Sequence, residues 1–130
     1  KKPEYTLGRS RFDFLLERDG EEKLLEVKSA TLVENGTARF PDAVTARGTR
    51  HVQHLVESIT PRRSAAVLFI VQRSDATRFE PHWGRDPEFA GALQTAVAAG
   101  LELIIYTTRL EPDAMTLKES IPVDLEARNE

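Results

Sequence analysis

Two short runs near the start of the chain carry apolar residues on alternating positions. Arg11-Phe12-Asp13-Phe14-Leu15-Leu16-Glu17 and Lys23-Leu24-Leu25-Glu26-Val27-Lys28 bracket Asp19-Gly20, a dipeptide that accepts the positive φ angles of a tight hairpin turn. With Asp19 and Gly20 as a two-residue loop, antiparallel partners sum to 39, so Phe12 faces Val27, Phe14 faces Leu25 and Asp13 faces Glu26. Alternation then predicts a core face of Phe12, Phe14, Leu16, Leu25 and Val27, and an opposite face carrying Asp13, Glu26 and Lys28. A four-residue loop sets Asp13 across from Lys28 and keeps the three together, whereas a three-residue loop puts Asp13 and Glu26 on opposite faces.

Beyond the hairpin the period changes. Thr31 to Val44 is rich in turn residues and reads as a loop or short strand with a tight turn at Asn35-Gly36. Val52, Leu55, Val56 and Ile59 recur at helical spacing and Pro61 ends the pattern, which predicts a helix from about Thr45 to Ile59, weakest near Gly48. Ala65 to Val71 is a continuous apolar run, the pattern of a strand buried on both faces. Asp86-Pro87 is a cap followed by proline at the first helical position, Phe89, Leu93 and Val97 keep helical spacing, and Gly100 stops the helix before a strand from Leu101 to Thr107. Two buried strands joined through a helix are expected to lie parallel in one sheet. After Leu110 the signal is weak, with Ile121-Pro122-Val123 a candidate edge strand. The fold class expected is α/β, of the mixed α+β sheet kind: an antiparallel hairpin, then helix, strand, helix, strand.

Composition narrows the function classes. At 130 residues, 40% hydrophobic and 30% charged, the chain has the make-up of one soluble globular domain. It has no run long enough to span a membrane and no signal-peptide pattern, so a cytoplasmic location without a membrane partner is expected. The absence of cysteine excludes disulfides, thiolate-bound zinc and cysteine nucleophiles. The first residue is lysine, and further residues are expected upstream. The net charge of −3 hides an asymmetry: residues 1–63 carry twelve Lys/Arg against ten Asp/Glu, while residues 64–130 carry six against eleven. The basic side is concentrated in Arg39, Arg47, Arg50, Arg62 and Arg63, the surface a polyanion would approach.

Two carboxylates opposed on one sheet face repel each other, and a divalent cation is a natural compensator. Mg²⁺ or Mn²⁺ held by Asp13 and Glu26, with the Lys28 ammonium beside them to assist water or steady a developing phosphate charge, is a set of parts suited to phosphodiester hydrolysis. The competing reading is an ordinary salt bridge of Asp13 with Lys28 or Arg11 on a solvated face.

These residues also carry a resemblance. Ser10-Arg11-Phe12-Asp13-Phe14, Glu26-Val27-Lys28-Ser29, Phe40-Pro41-Asp42-Ala43 with Thr45, Arg47-Gly48 and His51, then Phe69 to Arg73 and Asp86-Pro87 with Phe89-Ala90, resemble the sugar fermentation stimulation protein A family over roughly Glu4 to Thr107. The resemblance implies a prokaryotic DNA-binding protein with a restriction-endonuclease-like, PD-(D/E)XK nuclease-like domain over residues 1–130. It further implies an OB-like domain upstream that this chain does not include, and a part in regulating sugar metabolism, notably of maltose. In that superfamily an acid on one strand and an acid-x-lysine on the next hold the metal and do the chemistry, which map onto Asp13, Glu26 and Lys28; the proline before the first acid is Phe12 here.

Among the other polar residues, Arg11, Arg39, Arg47, Arg50 and His51 are candidate nucleic-acid contacts, Arg47 and His51 sharing a helix face with His54. Glu4, Asp42 and Gln72 are candidate additions to the site; a helix cap is the alternative for Asp42 and a strand exit for Gln72. His51-x-x-His54 lacks a third zinc ligand nearby, and Trp83, beside His82, is placed to stack on a base or to pack over the core edge. Three functions follow: a Mg²⁺- or Mn²⁺-dependent endonuclease or exonuclease; a non-catalytic module binding double- or single-stranded DNA largely without sequence preference; or a protein-interaction domain, which leaves the basic patch unexplained.

Overall fold

The computed structural model describes the backbone of residues 2–7, 10–111 and 114–126, and the side chains of residues 14–109 and 120–126. Its elements in order are β1 (Lys2–Leu7), β2 (Ser10–Arg18), β3 (Glu21–Ala30), β4 (Leu32–Glu34), β5 (Thr37–Phe40), α1 (Ala46–Glu57), β6 (Arg63–Val71), β7 (Arg78–Pro81), α2 (Pro87–Ala98), β8 (Glu102–Glu111) and β9 (Ala114–Ser120). The Asp19-Gly20 turn forms with φ of 54° and 80°, and sets Phe14 opposite Leu25, Leu15 opposite Leu24 and Arg18 opposite Glu21, the two-residue-loop register. Asn35 and Gly36 make the second tight turn, between β4 and β5.

The main sheet runs β1-β2-β3-β6-β8-β9 and the smaller one β4-β5-β7. Parallel pairing of β6 with β8 follows the expectation from two buried strands joined through a helix. Parallel pairing of β3 with β6, register Glu26↔Val67 and Lys28↔Phe69, brings the hairpin into the same sheet. Among the described residues the last strand is β9, antiparallel to β8, and Val123 makes an isolated bridge with Phe79.

The crossovers from β3 to β6 and from β6 to β8 step in the same direction across the sheet. Right-handed connections of that kind put both helices on one face. The contacts agree: Phe69 of β6 lies 5.0 Å from Phe40 and 4.8 Å from Phe79 between ring centroids, and Phe40 lies 5.2 Å from Phe89 of α2. This chain of rings joins the main sheet, the small sheet and α2 into one core with Val52 and Leu55 of α1.

The covered face corrects the face assignment expected from the hairpin. Leu15 and Leu24 are fully buried under the helices, and Glu26 alternates onto the same side. Phe14, Leu16, Leu25 and Val27, expected to form the core face, are only partly buried on the other side; the Phe12 side chain lies outside the described residues. Alternation separates two faces of a strand but does not say which is covered; the direction of the crossovers does. The sheet thus has helices on one face, an α+β arrangement.

Gly48 sits where α1 meets α2. A Cβ there would stand 2.8 Å from Thr45 Cγ2 and 3.2 Å from Phe89 Cε1, so the glycine permits a close approach that outweighs its cost to the helix. Thr45 is the N-cap, its Oγ1 accepting the Gly48 N–H at 2.9 Å. Asp86 caps α2 in the same way, accepting the Phe89 N–H at 3.0 Å. Among the described residues no helix is long and apolar enough to cross a membrane.

Candidate functional site

Glu26 lies mid-strand in β3, 5% exposed, with its carboxylate facing α1. A carboxylate so buried is costly unless it is hydrogen-bonded or paired. Two groups meet that need at one oxygen. His51 of α1 places Nδ1 2.8 Å from Glu26 Oε2, and Lys28 places Nζ 3.4 Å from the same atom. Since a carboxylate oxygen accepts, the ring nitrogen is the donor. Glu26 Oε1 takes no hydrogen bond from a described residue.

The expected partner acid occupies β2. The described β2–β3 pairs run from Arg18↔Glu21 to Phe14↔Leu25, and along its other edge β2 pairs with β1, Phe14 with Pro3, Phe12 with Tyr5 and Arg11 with Thr6. The expected Phe12–Val27 and Asp13–Glu26 pairs lie outside the described part of this ladder. Carried one residue further, the register sets position 13 across from Glu26. The Asp13, Arg11 and Glu4 side chains lie outside the described residues. Among the described residues no group of three His, Asp or Glu side chains converges; Glu26 and His51 supply two.

The donor set fits a hard divalent cation. Glu26 offers one oxygen held by His51 and Lys28 and one that no described residue bonds, and Mg²⁺ is typically held by one or two carboxylates with waters completing its shell. Glu26 and Asp13 would hold it, and bound there it would polarise a phosphoryl oxygen and lower the pKa of an attached water. Lys28 follows Glu26 by two residues, on the same face and largely covered.

The remaining candidates separate. Arg47 and Arg50 are exposed on α1, make no ion pair among the described residues, and flank His51 along the helix. Arg39 is instead tied into the small sheet, with Nη2 2.9 Å from Glu80 Oε1 and Nη1 2.9 Å from Glu34 Oε1. Arg63 is likewise bound to Glu22, leaving Arg62 exposed. Gln72 donates to Ser29 Oγ at 3.2 Å, and Ser29 alternates to the sheet face away from Glu26. Asp42 is exposed and is not a cap, since Thr45 fills that role. Trp83 lines a groove of about 580 Å³ between α1 and α2 with Thr49, Gln53 and Gly91; on α1 this flank lies across the buried stripe from His51. The Trp83 indole N–H is buried without a hydrogen-bond partner among the described residues.

Sequence reasoning read His51 as a phosphate contact and missed its bond to Glu26. The available signal was its place on the edge of the α1 apolar stripe, next to Val52, where a polar side chain faces the sheet as readily as solvent.

The family model described as the sugar fermentation stimulation protein RE domain matches residues 1–114. The chain belongs to the sugar fermentation stimulation protein family. Its relatives in that family include homologues from Syntrophotalea carbinolica, 43% identical over 125 residues, and Clostridium botulinum strain Alaska E43, 42% identical over 123 residues. These matches cover 95% and 94% of the chain and 54% of each relative, so the chain spans about half the length of the family members it matches. A solved structure, that of Pyrococcus furiosus SfsA in complex with Ca²⁺, is similar with a TM-score of 0.88 and 30% identity, over 95% of this chain and 54% of that one. The mixed α/β fold is thus that of the family.

Proposed function

We propose that this chain is a PD-(D/E)XK-type, divalent-metal-dependent nuclease domain acting on DNA. The observation that carries the reading is the buried Glu26 carboxylate, held at one oxygen by Lys28 and His51, with no described residue donating to the other and the hairpin register aimed at position 13. A salt-bridge role alone leaves unexplained why a glutamate is buried on the helix-covered face of the sheet. The relative solved with Ca²⁺ supports the reading, since Ca²⁺ and Mg²⁺ are both hard cations that take oxygen ligands.

In this reading Glu26 and Asp13 hold Mg²⁺ or Mn²⁺. Lys28 donates to the attacking water or to the phosphate oxygen as charge builds there. Arg47 and Arg50, free on the exposed side of α1, hold the backbone phosphates, and the helix N-terminus between them and Thr45 adds a favourable dipole with no acid in its first turn.

The same two arginines favour a second reading, a module that clamps DNA without cutting it. A regulatory part in sugar metabolism, maltose included, goes with that reading.

The test is to incubate the chain with plasmid and with single-stranded DNA under Mg²⁺, Mn²⁺ or EDTA, beside Asp13→Asn, Glu26→Gln and Lys28→Ala. Metal-dependent nicking that all three substitutions abolish supports the nuclease. Binding that persists in EDTA and in these variants, with no cleavage under either metal, replaces it with the module.

A further inference from the structure

We infer that His51 is a positioning residue for Glu26, fixing the carboxylate so that Oε1 is presented to a divalent cation; this rests on the reading of Glu26 as a metal ligand. Three observations carry it. The His51 contact, 2.8 Å, falls in the range of a strong charge-assisted hydrogen bond, while the Lys28 contact to the same atom, 3.4 Å, is too long to fix a carboxylate alone. Both side chains are covered, His51 13% and Glu26 6% exposed, where a hydrogen bond is strengthened by the low local dielectric. The ring also comes from a rigid element, since Val52 and Leu55 anchor α1 in the core and Thr45 caps it.

Both donors converge on Oε2, and none of the described residues donates to Oε1. A carboxylate restrained in this way offers one oxygen in a fixed direction, as the hydrogen-bonded partners of metal ligands do elsewhere. A second consequence follows from the helix. Arg47 and Arg50 sit on the element that His51 fastens to Glu26, so the phosphate-contacting face and the metal ligand move as one unit.

The test measures Mn²⁺ affinity of the full chain by titration calorimetry without DNA, for the parent, Glu26→Gln, His51→Ala, His51→Asn and His51→Gln, with thermal unfolding of each recorded alongside. An asparagine amide can occupy the place of Nδ1, whereas a glutamine amide reaches the place of Nε2. His51→Ala and His51→Gln are expected to weaken Mn²⁺ binding roughly 10- to 100-fold, the usual cost of losing a ligand's hydrogen-bonded support, and His51→Asn to restore most of it. Parent-like affinity in His51→Ala, alongside loss in Glu26→Gln, overturns the positioning role and leaves the Glu26 reading standing. Equal loss in His51→Ala and His51→Asn also overturns it, by making the ring itself a ligand. Parent-like affinity in Glu26→Gln, or a parent that binds no Mn²⁺, overturns both.

Discussion

The backbone N–H of Thr45 donates to Asp86 Oδ2 at 2.8 Å, so one buried carboxylate that caps α2 also holds the N-cap residue of α1. The two helix starts are thereby fixed to each other, and with them the positions of His51 and Arg47 over the sheet. Asp86→Ala strands two backbone donors at a site 3% exposed and is expected to cost about 2–3 kcal/mol. Asp86→Ser keeps a cap for Phe89 but cannot serve both donors, and should fall between. Urea midpoints at unchanged slope measure the loss.

Gly48→Ala sets helix propensity against packing. Alanine gains about 1 kcal/mol over glycine inside a helix. The new methyl would stand 2.8 Å from Thr45 Cγ2 and 3.2 Å from Phe89, both in well-packed surroundings, so a net loss of about 1–2 kcal/mol is expected. Adding Thr45→Ser removes the methyl in the way and should recover more than additivity allows, a double-mutant cycle that locates the clash.

Arg39→Ala is expected to act on the fold. Glu80 is 1% exposed and is held by Arg39 at one oxygen and by Arg78, 2.7 Å away, at the other. Removing Arg39 takes away the charge-assisted bonds at one oxygen of a buried carboxylate, a loss of about 3 kcal/mol, toward the low end for a broken buried pair because Arg78 stays. Thermal unfolding should fall while the DNA affinity of the folded fraction stays at the parent level.

Arg47→Ala and Arg50→Ala should do the opposite. Their side chains are exposed and unpaired among the described residues, so the unfolding midpoint should not move. If each neutralises one phosphate, the slope of log affinity against log salt should lessen by about 0.9 per substitution on duplex DNA. An unchanged slope in both variants would take these arginines out of the interface.

Local chemistry wrote a good part of this protein into its sequence. Asp19-Gly20 sets the hairpin register because a two-residue turn admits only one pairing of its flanking strands, and strand alternation puts Glu26 and Lys28 on one face. Thr45 and Asp86-Pro87 begin the helices because caps act within three or four residues. Non-local pairing decided the rest. Whether the Glu26 face is covered depends on two crossovers stepping the same way, and alternation is blind to that. His51 meets Glu26 across 25 positions of sequence because β3 lies beside β6 beneath α1, and Arg39 is bound to Glu80 because β5 runs parallel to β7. A charge or an imidazole in a sequence has no partner assigned. The tertiary fold supplies it, turning a residue that reads as a phosphate contact into the support of a buried carboxylate.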